Sequence, residues 1–428
     1  MINKIIRKGV SLIKRVVGEN TYSKYQLIKV SYYHKQALNR IRKKDVINVC
    51  FFLIHESVWK YEELYQLFKK DKRFNPIVLV CPYVMYGEEN MLNDMENAYS
   101  SFQSKGYNVL KALKDDGTWL DVKKELQPDL IFFTNPHDLT KSEYNIRNFK
   151  NYLTCYVPYN FGNSHMLNLF HNQEFHNLIW KLFAESEIHK KYSIDVAKNK
   201  GINVEVSGFP GTDKFLKNNS DTNLESDWKH KHTKKIIWAP HHTIDDDKSF
   251  VSFSSFLIYH QFMIDLLDKF IDKIEIVFKP HPLLKIKLYE HPDWGKQKTD
   301  EYYNIWKNHA YGGLNEGDYI NLFLTSDTMI HDSGSFLIEY LYTEKPVLRT
   351  DRDETICDRL NSFGIMAYNV HYIAKNENEV VDYISEVIFL ENDTKKEERL
   401  EFKKYNLLPP NNCLASENIY NYIVKTIS

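Results

Sequence analysis

The chain has 428 residues, of which 43% are hydrophobic and 14% aromatic, and its 56 basic and 57 acidic side chains nearly balance. This composition excludes a disordered chain, and the length favours two domains of roughly 200 residues each over a single core. Five cysteines without paired spacing exclude a disulfide framework and a recognised zinc motif, and they fit a reducing, cytosolic setting.

The first 44 residues carry much of the positive charge, with twelve Lys or Arg side chains against one acid. On a helical wheel of residues 1–18, apolar and basic side chains fall on opposite faces. We therefore predict a basic amphipathic segment over 1–44 that attaches to an anionic membrane surface through residues 1–18. Its apolar residues are too interrupted for a secretory signal or a transmembrane span, so the protein is expected in the cytoplasm, on the inner face of the membrane.

Two other uses of this basic segment are open: a helix docked on its own protein, or a nucleic-acid arm. Aromatic-basic interleaving and known nucleic-acid motifs do not accompany the charge, so no nucleic-acid partner is predicted.

Residues 45–213 are predicted to form the first domain, because short apolar runs alternate there with amphipathic segments. Continuous apolar strands separated by helical patterns predict a parallel sheet covered on both faces, the doubly wound α/β architecture. The loop after the first strand reads His55-Glu56-Ser57 and lacks the glycine-rich dinucleotide fingerprint, which weakens an NAD interpretation. The apolar runs are Val46–Ile54, Pro76–Val80, Tyr107–Leu110, Leu130–Phe133, Leu153–Val157, Leu178–Phe183 and Val204–Ser207.

Ligands meet such a sheet at the carboxyl ends of its strands. The polar residues on those loops are therefore candidates, of which two or three are expected to touch substrate. They are His55, Glu56, Asn135, His137, Asp138, Tyr159, Asn160, Asn163 and His165.

The polar segment Lys217–Lys235 is the predicted linker, and residues 234–428 are the predicted second domain. Its predicted strands are Ile236–Ala239, Ile274–Phe278, Thr328–Ile330 and Pro346–Arg349. Helices are predicted over Ser255–Phe270 and Tyr319–Thr325, and an amphipathic helix is predicted between the last two strands.

Three strands of this domain end at polar clusters, and in a parallel sheet these ends would converge on one edge. A lysine, several imidazoles and the N–H groups of a small-residue turn together suit an anionic ligand. A histidine can also act as a general base, so the clusters fit phosphoryl or glycosyl-phosphate chemistry on a diphosphate. The clusters are His241 and His242; Lys279 and His281; and Asp332, Ser333, Gly334 and Ser335.

Asp332 is expected to cap the helix that follows the turn, with Glu339 one turn inside it. The alternative is an ordinary capped strand-turn-helix without a ligand. His241, His242 and the aspartates at 245–247 match no recognised ligand spacing, so the sequence predicts no metal.

A series of short motifs runs through the chain: Gly208-Phe209-Pro210 with Asp213, Trp238-Ala239-Pro240, Lys279-Pro280-His281-Pro282, Ser326-Asp327, His331-Asp332-Ser333-Gly334-Ser335 and Lys345-Pro346. In order and spacing this series resembles the CDP-glycerol glycerophosphotransferase family, which builds teichoic-acid-like polymers. The resemblance covers roughly residues 150–390.

This resemblance implies the GT-B architecture, in which two Rossmann-like domains face each other across a cleft. The first would serve the acceptor and the second the nucleotide donor. The implied reaction moves an alditol phosphate from a CDP-alditol to a hydroxyl of a polysaccharide or lipid-linked glycan, without a cofactor or a metal. By resemblance, His281 would serve the donor's phosphates or the reaction directly, and Ser333 and Ser335 would hold the diphosphate. Together with the polar strand-end loops, this makes His281, His241 and His165 the candidate catalytic residues. The donor phosphates would meet Lys279, Asp332, Ser333, Gly334 and Ser335, and the rest of the donor would meet Glu339, Pro240, His242 and Gly208.

Two departures leave alternatives open. The family's serine-rich turn has an aspartate-tyrosine-serine-serine core, whereas this turn has Gly334 between two serines and also resembles that of UDP-N-acetylglucosamine 2-epimerases. The family's histidine-glycine-threonine-proline motif is replaced by Val157–Gly162, with His165 just beyond, so the base is not identified. A catalytically silent scaffold is the third interpretation.

Overall fold

The computed structural model describes residues 19–217, 228–244 and 252–428. The predicted membrane segment 1–18, the aspartates at 245–247 and much of the predicted linker lie outside the described residues. The chain divides into two compact units. Unit 1 contains the described residues up to Asn160 together with Leu167–Asp213 and Pro409–Ser428, and unit 2 contains Phe161–Met166 and the described residues from Lys214 to Leu408.

Unit 1 is built on a sheet of seven parallel strands in the order β3-β2-β1-β4-β5-β6-β7. The strands are β1 Ile47–Leu53, β2 Phe74–Val80, β3 Val109–Lys111, β4 Leu130–Phe133, β5 Leu153–Tyr156, β6 Lys181–Ala184 and β7 Val204–Val206. The helices are α1 Glu19–Ile41, α2 Glu62–Lys70, α3 Glu88–Ser104, α4 Leu167–His171, α5 Glu174–Leu178 and α6 Glu187–Val196. A four-residue helix, α7 Asp213–Leu216, begins at the last residue of this part of unit 1.

The core of unit 1 is aromatic and sits on its central strands. Phe51 stacks on Phe132 with ring centroids 5.0 Å apart, and both rings are fully buried. The buried hydroxyl of Tyr61 donates to Phe133 O (2.6 Å) and accepts from Val157 N (2.9 Å), so it joins the ends of two strands. Continuous apolar strands predicted this burial, since both faces of a parallel sheet are covered.

Unit 2 repeats the plan with six parallel strands in the order β10-β9-β8-β11-β12-β13. The strands are β8 Lys234–Ala239, β9 Ile274–Phe278, β10 Gly312–Leu314, β11 Thr328–His331, β12 Val347–Thr350 and β13 Tyr372–Ala374. The helices are α8 Phe256–Lys269, α9 Leu284–Glu290, α10 Gly295–Asn308, α11 Ile320–Thr325, α12 Phe336–Glu339, α13 Ser362–Asn369, α14 Glu377–Tyr383 and α15 Lys396–Phe402.

Both sheets therefore place their first six strands in the 3-2-1-4-5-6 order of a Rossmann fold, which confirms the predicted α/β class with two doubly wound sheets. In each sheet the strand order reverses between the first and fourth strands. A crevice for ligands opens at that point in such folds.

Two local predictions in unit 2 were wrong. The amphipathic helix predicted after Asp332 is only α12, because the chain continues as the 3-10 turn Tyr340–Thr343 and reverses at Glu344, whose φ is 66°. The predicted strands also left out the segment around Gly312-Gly313, which forms the edge strand β10. Glycine has a low strand propensity, so propensity rules do not predict a strand here. Gly313 is needed at this position because a Cβ would lie 2.9 Å from Val277 Cγ2.

The last helix, α16 Ala415–Ile427, belongs to unit 1, although the predicted second domain runs to residue 428. The backbone N–H groups of Ala415 and Ser416 each donate to the Asp213 carboxylate at 2.9 Å. Burial raises the pKa of Asp213 to about 6, against the effect of these N–H donors. Asp213, part of the motif series, thus caps a helix that begins about 200 residues later.

In the described ranges, none of the helices has both the length and the apolar character that crossing a bilayer requires.

Candidate active site

The loops that follow β8, β9 and β11 leave the same edge of the unit 2 sheet. Trp238 is paired with Phe278, and Ala239 with His331, so the three strands end at one level. This is the point where the strand order reverses. The predicted convergence of the three polar clusters is therefore what the structure shows.

Three imidazoles, those of His241, His242 and His281, form a cluster at this edge. Their ring centroids are 4.3 Å (241 to 242), 4.1 Å (242 to 281) and 5.2 Å (241 to 281) apart. The N–H of His281 donates to Pro240 O at 3.1 Å, which fixes the loop after β9 against the loop after β8.

The proton on His281 can be placed from its hydrogen bond. Its Nδ1 accepts the backbone N–H of Leu283 at 3.1 Å, so in the neutral ring the hydrogen is on Nε2. Burial, with smaller contributions from His242 and Lys279, lowers the pKa of His281 to about 3. At neutral pH His281 is therefore an uncharged N–H donor rather than a base.

Ring nitrogens of the imidazole cluster lie within 4.8 Å of one another, a spacing that could hold a divalent transition metal. A metal needs an unprotonated nitrogen from each ring. Since Nδ1 of His281 accepts a hydrogen bond and Nε2 carries the hydrogen, this ring offers no lone pair to a metal. The arrangement instead suits an anion that accepts hydrogen bonds.

The sequence predicted that Asp332 caps the helix after the turn, but in the structure its carboxylate binds other groups. Its carboxylate accepts the N–H of His241 on one oxygen, and the N–H (2.6 Å) and hydroxyl (3.0 Å) of Ser255 on the other. Burial raises the pKa of Asp332 to about 6, and these N–H donors together with Arg349 oppose that rise. Asp332 thus ties the loop after β8 to the start of α8. Sequence reasoning missed Ser255, which no local pattern marks.

The turn Ser333–Ser335 is held through its carbonyl oxygens. Arg349 Nη1 donates to Ser333 O at 3.2 Å, and Asn163 Nδ2 donates to Gly334 O at 2.6 Å. A Cβ on Gly334 would lie 3.3 Å from a ring carbon of Phe253, so the turn passes close to that ring. Arg349 was missed, although a cation inside an apolar strand is a signal; Asn163 was among the candidates of the first domain.

Lys279 and Glu339 are both buried beside this edge. Lys279 is 5% exposed, and its Nζ donates to Gly317 O at 2.9 Å. Glu339 is 2% exposed and accepts the hydroxyl of Tyr319. Lys279 therefore brings a positive charge next to the imidazole cluster in a fixed position, and Glu339 is held by its own neighbours.

His165 and Gly208, the remaining site predictions, lie away from these three loops in the sequence. The backbone N–H and Nδ1 of His165 both donate to Arg359 O, at 3.1 and 3.0 Å. A carbonyl only accepts, so Nε2 of His165 keeps its lone pair. Gly208 lies in unit 1 with φ 87°, and a Cβ there would lie 2.7 Å from Pro409, so the backbone itself requires glycine.

The equivalent edge of the unit 1 sheet holds a small, open pocket at the ends of β1 and β4. Its lining includes the aromatic side chains of Phe52, Phe133 and Phe175, and Asn135 and His137 are among its polar members. His137 Nδ1 is 2.8 Å from Gln173 Nε2, and burial lowers the pKa of His137.

Comparison with known proteins gives one family and several solved structures. The model of the CDP-Glycerol:Poly(glycerophosphate) glycerophosphotransferase family matches residues 179–425. A variant of the wall teichoic acid polymerase TagF is 13% identical with a TM-score of 0.62, over 100% of this chain and 98% of that chain. A search of curated protein sequences found no match.

Two further solved structures also resemble this chain. MnaA of S. aureus with UDP is 19% identical with a TM-score of 0.54, over 88% of this chain and 96% of that one. The UDP-GlcNAc 2-epimerase of Neisseria meningitidis bound to UDP-GlcNAc is 15% identical with a TM-score of 0.54, over 89% and 99%. These neighbours are GT-B enzymes. At such identities the structural likeness shows the fold alone.

Proposed function

This chain belongs to the CDP-glycerol:poly(glycerophosphate) glycerophosphotransferase family, and from that membership we propose that it transfers an alditol phosphate from a CDP-alditol such as CDP-glycerol to an acceptor hydroxyl, releasing CMP. The observation that carries the proposal is the convergence of three strand-end loops in unit 2 on one edge, with neutral N–H donors and a buried lysine beside them. A TagF structure soaked with CDPG, 12% identical with a TM-score of 0.57, has the same fold.

In this reaction the acceptor oxygen attacks the β-phosphorus of the donor. A P–O bond forms to the acceptor, the bond from the β-phosphorus to the bridging oxygen breaks, and CMP leaves. The Nε2–H of His281, the Lys279 cation and the backbone N–H groups of the Ser333–Ser335 turn stabilise the negative charge that develops. His241 places a second half-buried imidazole beside His281.

The acceptor proton needs a base, and His165 is the candidate with a lone pair on Nε2. The remaining donor contacts in unit 2 are assigned to Glu339, Pro240 and His242, and Asp332 acts indirectly by holding the loop after β8. Positioning and electrostatics carry phosphoryl transfer of this kind, so the proposal requires no organic cofactor.

The test is release of CMP by the purified full chain from CDP-glycerol and a glycan acceptor. His281→Ala is expected to reduce the rate by at least about a hundredfold, the order seen when a transition-state donor is removed. His232→Ala, an exposed histidine of the same unit, is the matched control. Full activity of His281→Ala would remove His281 from the mechanism.

A second candidate function follows from Gly334, the residue that makes the turn resemble that of the epimerases. Conversion of UDP-N-acetylglucosamine without an acceptor would favour that activity over phosphate transfer. Failure to bind any nucleotide would favour the scaffold interpretation.

The acceptor is proposed to be a polysaccharide or lipid-linked glycan of the cell envelope, such as a teichoic acid or capsule polymer. The basic residues 1–18 would then hold the enzyme peripherally at the inner face of the membrane. Deleting residues 1–18 is expected to abolish binding to anionic vesicles while leaving turnover with a soluble acceptor intact. Unchanged vesicle binding would refute this attachment.

A further inference from the structure

We propose that Asn163 and Arg349 are positioning residues that aim the backbone N–H groups of Gly334 and Ser335 at the diphosphate of the nucleotide donor. This inference rests on the proposed function for the ligand, but its geometry is independent of the reaction. Neither side chain is assigned a contact with substrate. Both act by holding a carbonyl oxygen of the turn.

The direction of the two N–H groups follows from peptide geometry. In a trans peptide the C=O of one residue and the N–H of the next point in opposite directions. Ser333 O is held by Arg349, so the N–H of Gly334 points away from the guanidinium. Gly334 O is held by Asn163, so the N–H of Ser335 points away from that amide. Within the described ranges, neither N–H donates to another residue.

Asn163 is itself held firmly in unit 2. The backbone N–H of Asn361 donates to Asn163 O at 2.9 Å, and Asn361 Nδ2 donates to Gly162 O at 2.7 Å. A Cβ on Gly364 would lie 2.6 Å from Asn163 O, so glycine at the start of α13 permits this approach. The amide of Asn163 is therefore presented from a fixed backbone rather than from a loose loop.

Arg349 is fixed from a different side. It is 1% exposed, its Nε donates to Asp351 Oδ1 at 2.9 Å, and its guanidinium lies over the ring of Phe253 at 5.4 Å. The hydroxyl of Tyr368 donates to the other oxygen of Asp351 at 2.6 Å. Asp351 balances the charge of Arg349, and the buried guanidinium serves to orient Ser333 O.

Two fixed carbonyls in succession are what an anion site built from backbone N–H groups requires. A peptide that can rotate would turn its carbonyl oxygen towards a phosphate and repel it. Pre-orientation removes that arrangement before the ligand arrives, so the hydrogen bonds form without reorganisation.

The decisive experiment is competition binding of CDP and of cytidine to the full chain, with a fluorescent CDP analogue as reporter. Asn163→Ala is expected to weaken CDP at least tenfold and cytidine less than twofold, because only CDP carries the diphosphate. Asn304→Ala, an exposed asparagine on α10, is the control and should change neither. Equal weakening of both ligands, or unchanged CDP affinity, overturns the inference.

Arg349→Lys and Arg349→Met extend the test, since lysine keeps the cation and one donor while methionine keeps neither. CDP selectivity should fall in the order wild type, Arg349→Lys, Arg349→Met. Arg349→Met removes the cation that balances the buried Asp351 carboxylate. If that variant does not fold, Asn163→Ala alone decides.

The outcomes separate this inference from the proposed function. If the wild type binds CDP, Asn163→Ala weakens it selectively, and CDP-glycerol is not turned over, the function fails and the inference stands. If the wild type releases CMP and Asn163→Ala binds CDP normally, only the inference fails. A wild type that binds no nucleoside diphosphate overturns the inference.

Discussion

Thr134 in unit 1 and Asp332 in unit 2 occupy the same place in their sheets, one residue beyond the fourth strand, yet they form different junctions. The Thr134 hydroxyl donates to Phe52 O (2.9 Å) and accepts from Ile54 N (3.4 Å), a local link to the first strand. The Asp332 carboxylate accepts from His241 and Ser255 and so joins two loops and a helix. One topology therefore carries a neutral link in one unit and a buried charge in the other.

The surroundings of these two residues also differ in charge. Thr134 borders a partly aromatic pocket, whereas Asp332 accepts the N–H of His241, a member of the imidazole cluster, and lies near the Arg349 cation. The difference shows that the shared strand order fixes where loops meet, and the loop residues decide what chemistry is possible there.

Replacement of Asp332 should have the largest effect, on both the free energy of unfolding and the rate of CMP release. Asp332→Ala leaves the buried N–H groups of His241 and Ser255 without their acceptor, so the free energy of unfolding should fall by about 2–4 kcal/mol. CMP release should fall at least about a hundredfold because the loop after β8 loses its anchor. Urea denaturation and the CMP assay measure the two effects.

The control is Asp382→Ala, an exposed aspartate on α14, which should change neither quantity. Turnover by Asp332→Ala at the wild-type rate would mean that this junction does not organise the site.

The second-largest effect concerns His281 and the pH dependence of the unfolding free energy. The pKa of His281 is about 3 in the folded chain against 6.5 as the ordinary value, so the unfolded chain binds one more proton between these values. The stability that neutral His281 contributes is complete above pH 6.5 and is lost as the pH falls towards 3. His281→Gln should therefore reduce the loss of unfolding free energy on acidification by up to about 1.4 kcal/mol per pH unit.

Urea unfolding at pH 7 and pH 5 measures this slope, and His232→Gln is the control. Equal slopes in wild type and His281→Gln would show that the ring is not kept neutral by burial.

The smallest effect is expected in unit 1. Thr134→Val keeps the shape of the side chain but loses the hydrogen bonds to Phe52 and Ile54, which should cost about 1 kcal/mol of unfolding free energy. The affinity for CDP should stay within twofold, as measured by the same competition assay. A large loss of CDP affinity would contradict the view that only the unit 2 sheet edge binds the nucleotide.

Strands could be predicted where burial on both faces makes them continuously apolar. Leu130–Phe133 and Ile274–Phe278 agree with the structure to the residue. The edge strand β10 was missed because its glycines have little strand propensity, and α12 is shorter than predicted because its length is set by how soon the chain must enter β12.

The strand-end clusters of the site could also be predicted, because parallel strands bring their ends together. What could not be predicted are the residues that hold those clusters. Asn163 reaches Gly334 across 171 positions and Ser255 reaches Asp332 across 77, and no local pattern records such pairs. The tautomer of His281 likewise depends on the conformation of the turn to Leu283.

The path of the chain has a consequence for how the protein is made. Unit 1 includes α16, whose Tyr420 ring lies 5.7 Å from that of Phe68 on α2 and whose first turn is capped by Asp213. During synthesis, Phe68 and Asp213 leave the ribosome long before Tyr420 does, and the described residues from Lys214 to Leu408 of unit 2 follow in between. The fold of unit 1 therefore cannot be completed until Lys214–Leu408 of unit 2 has been translated.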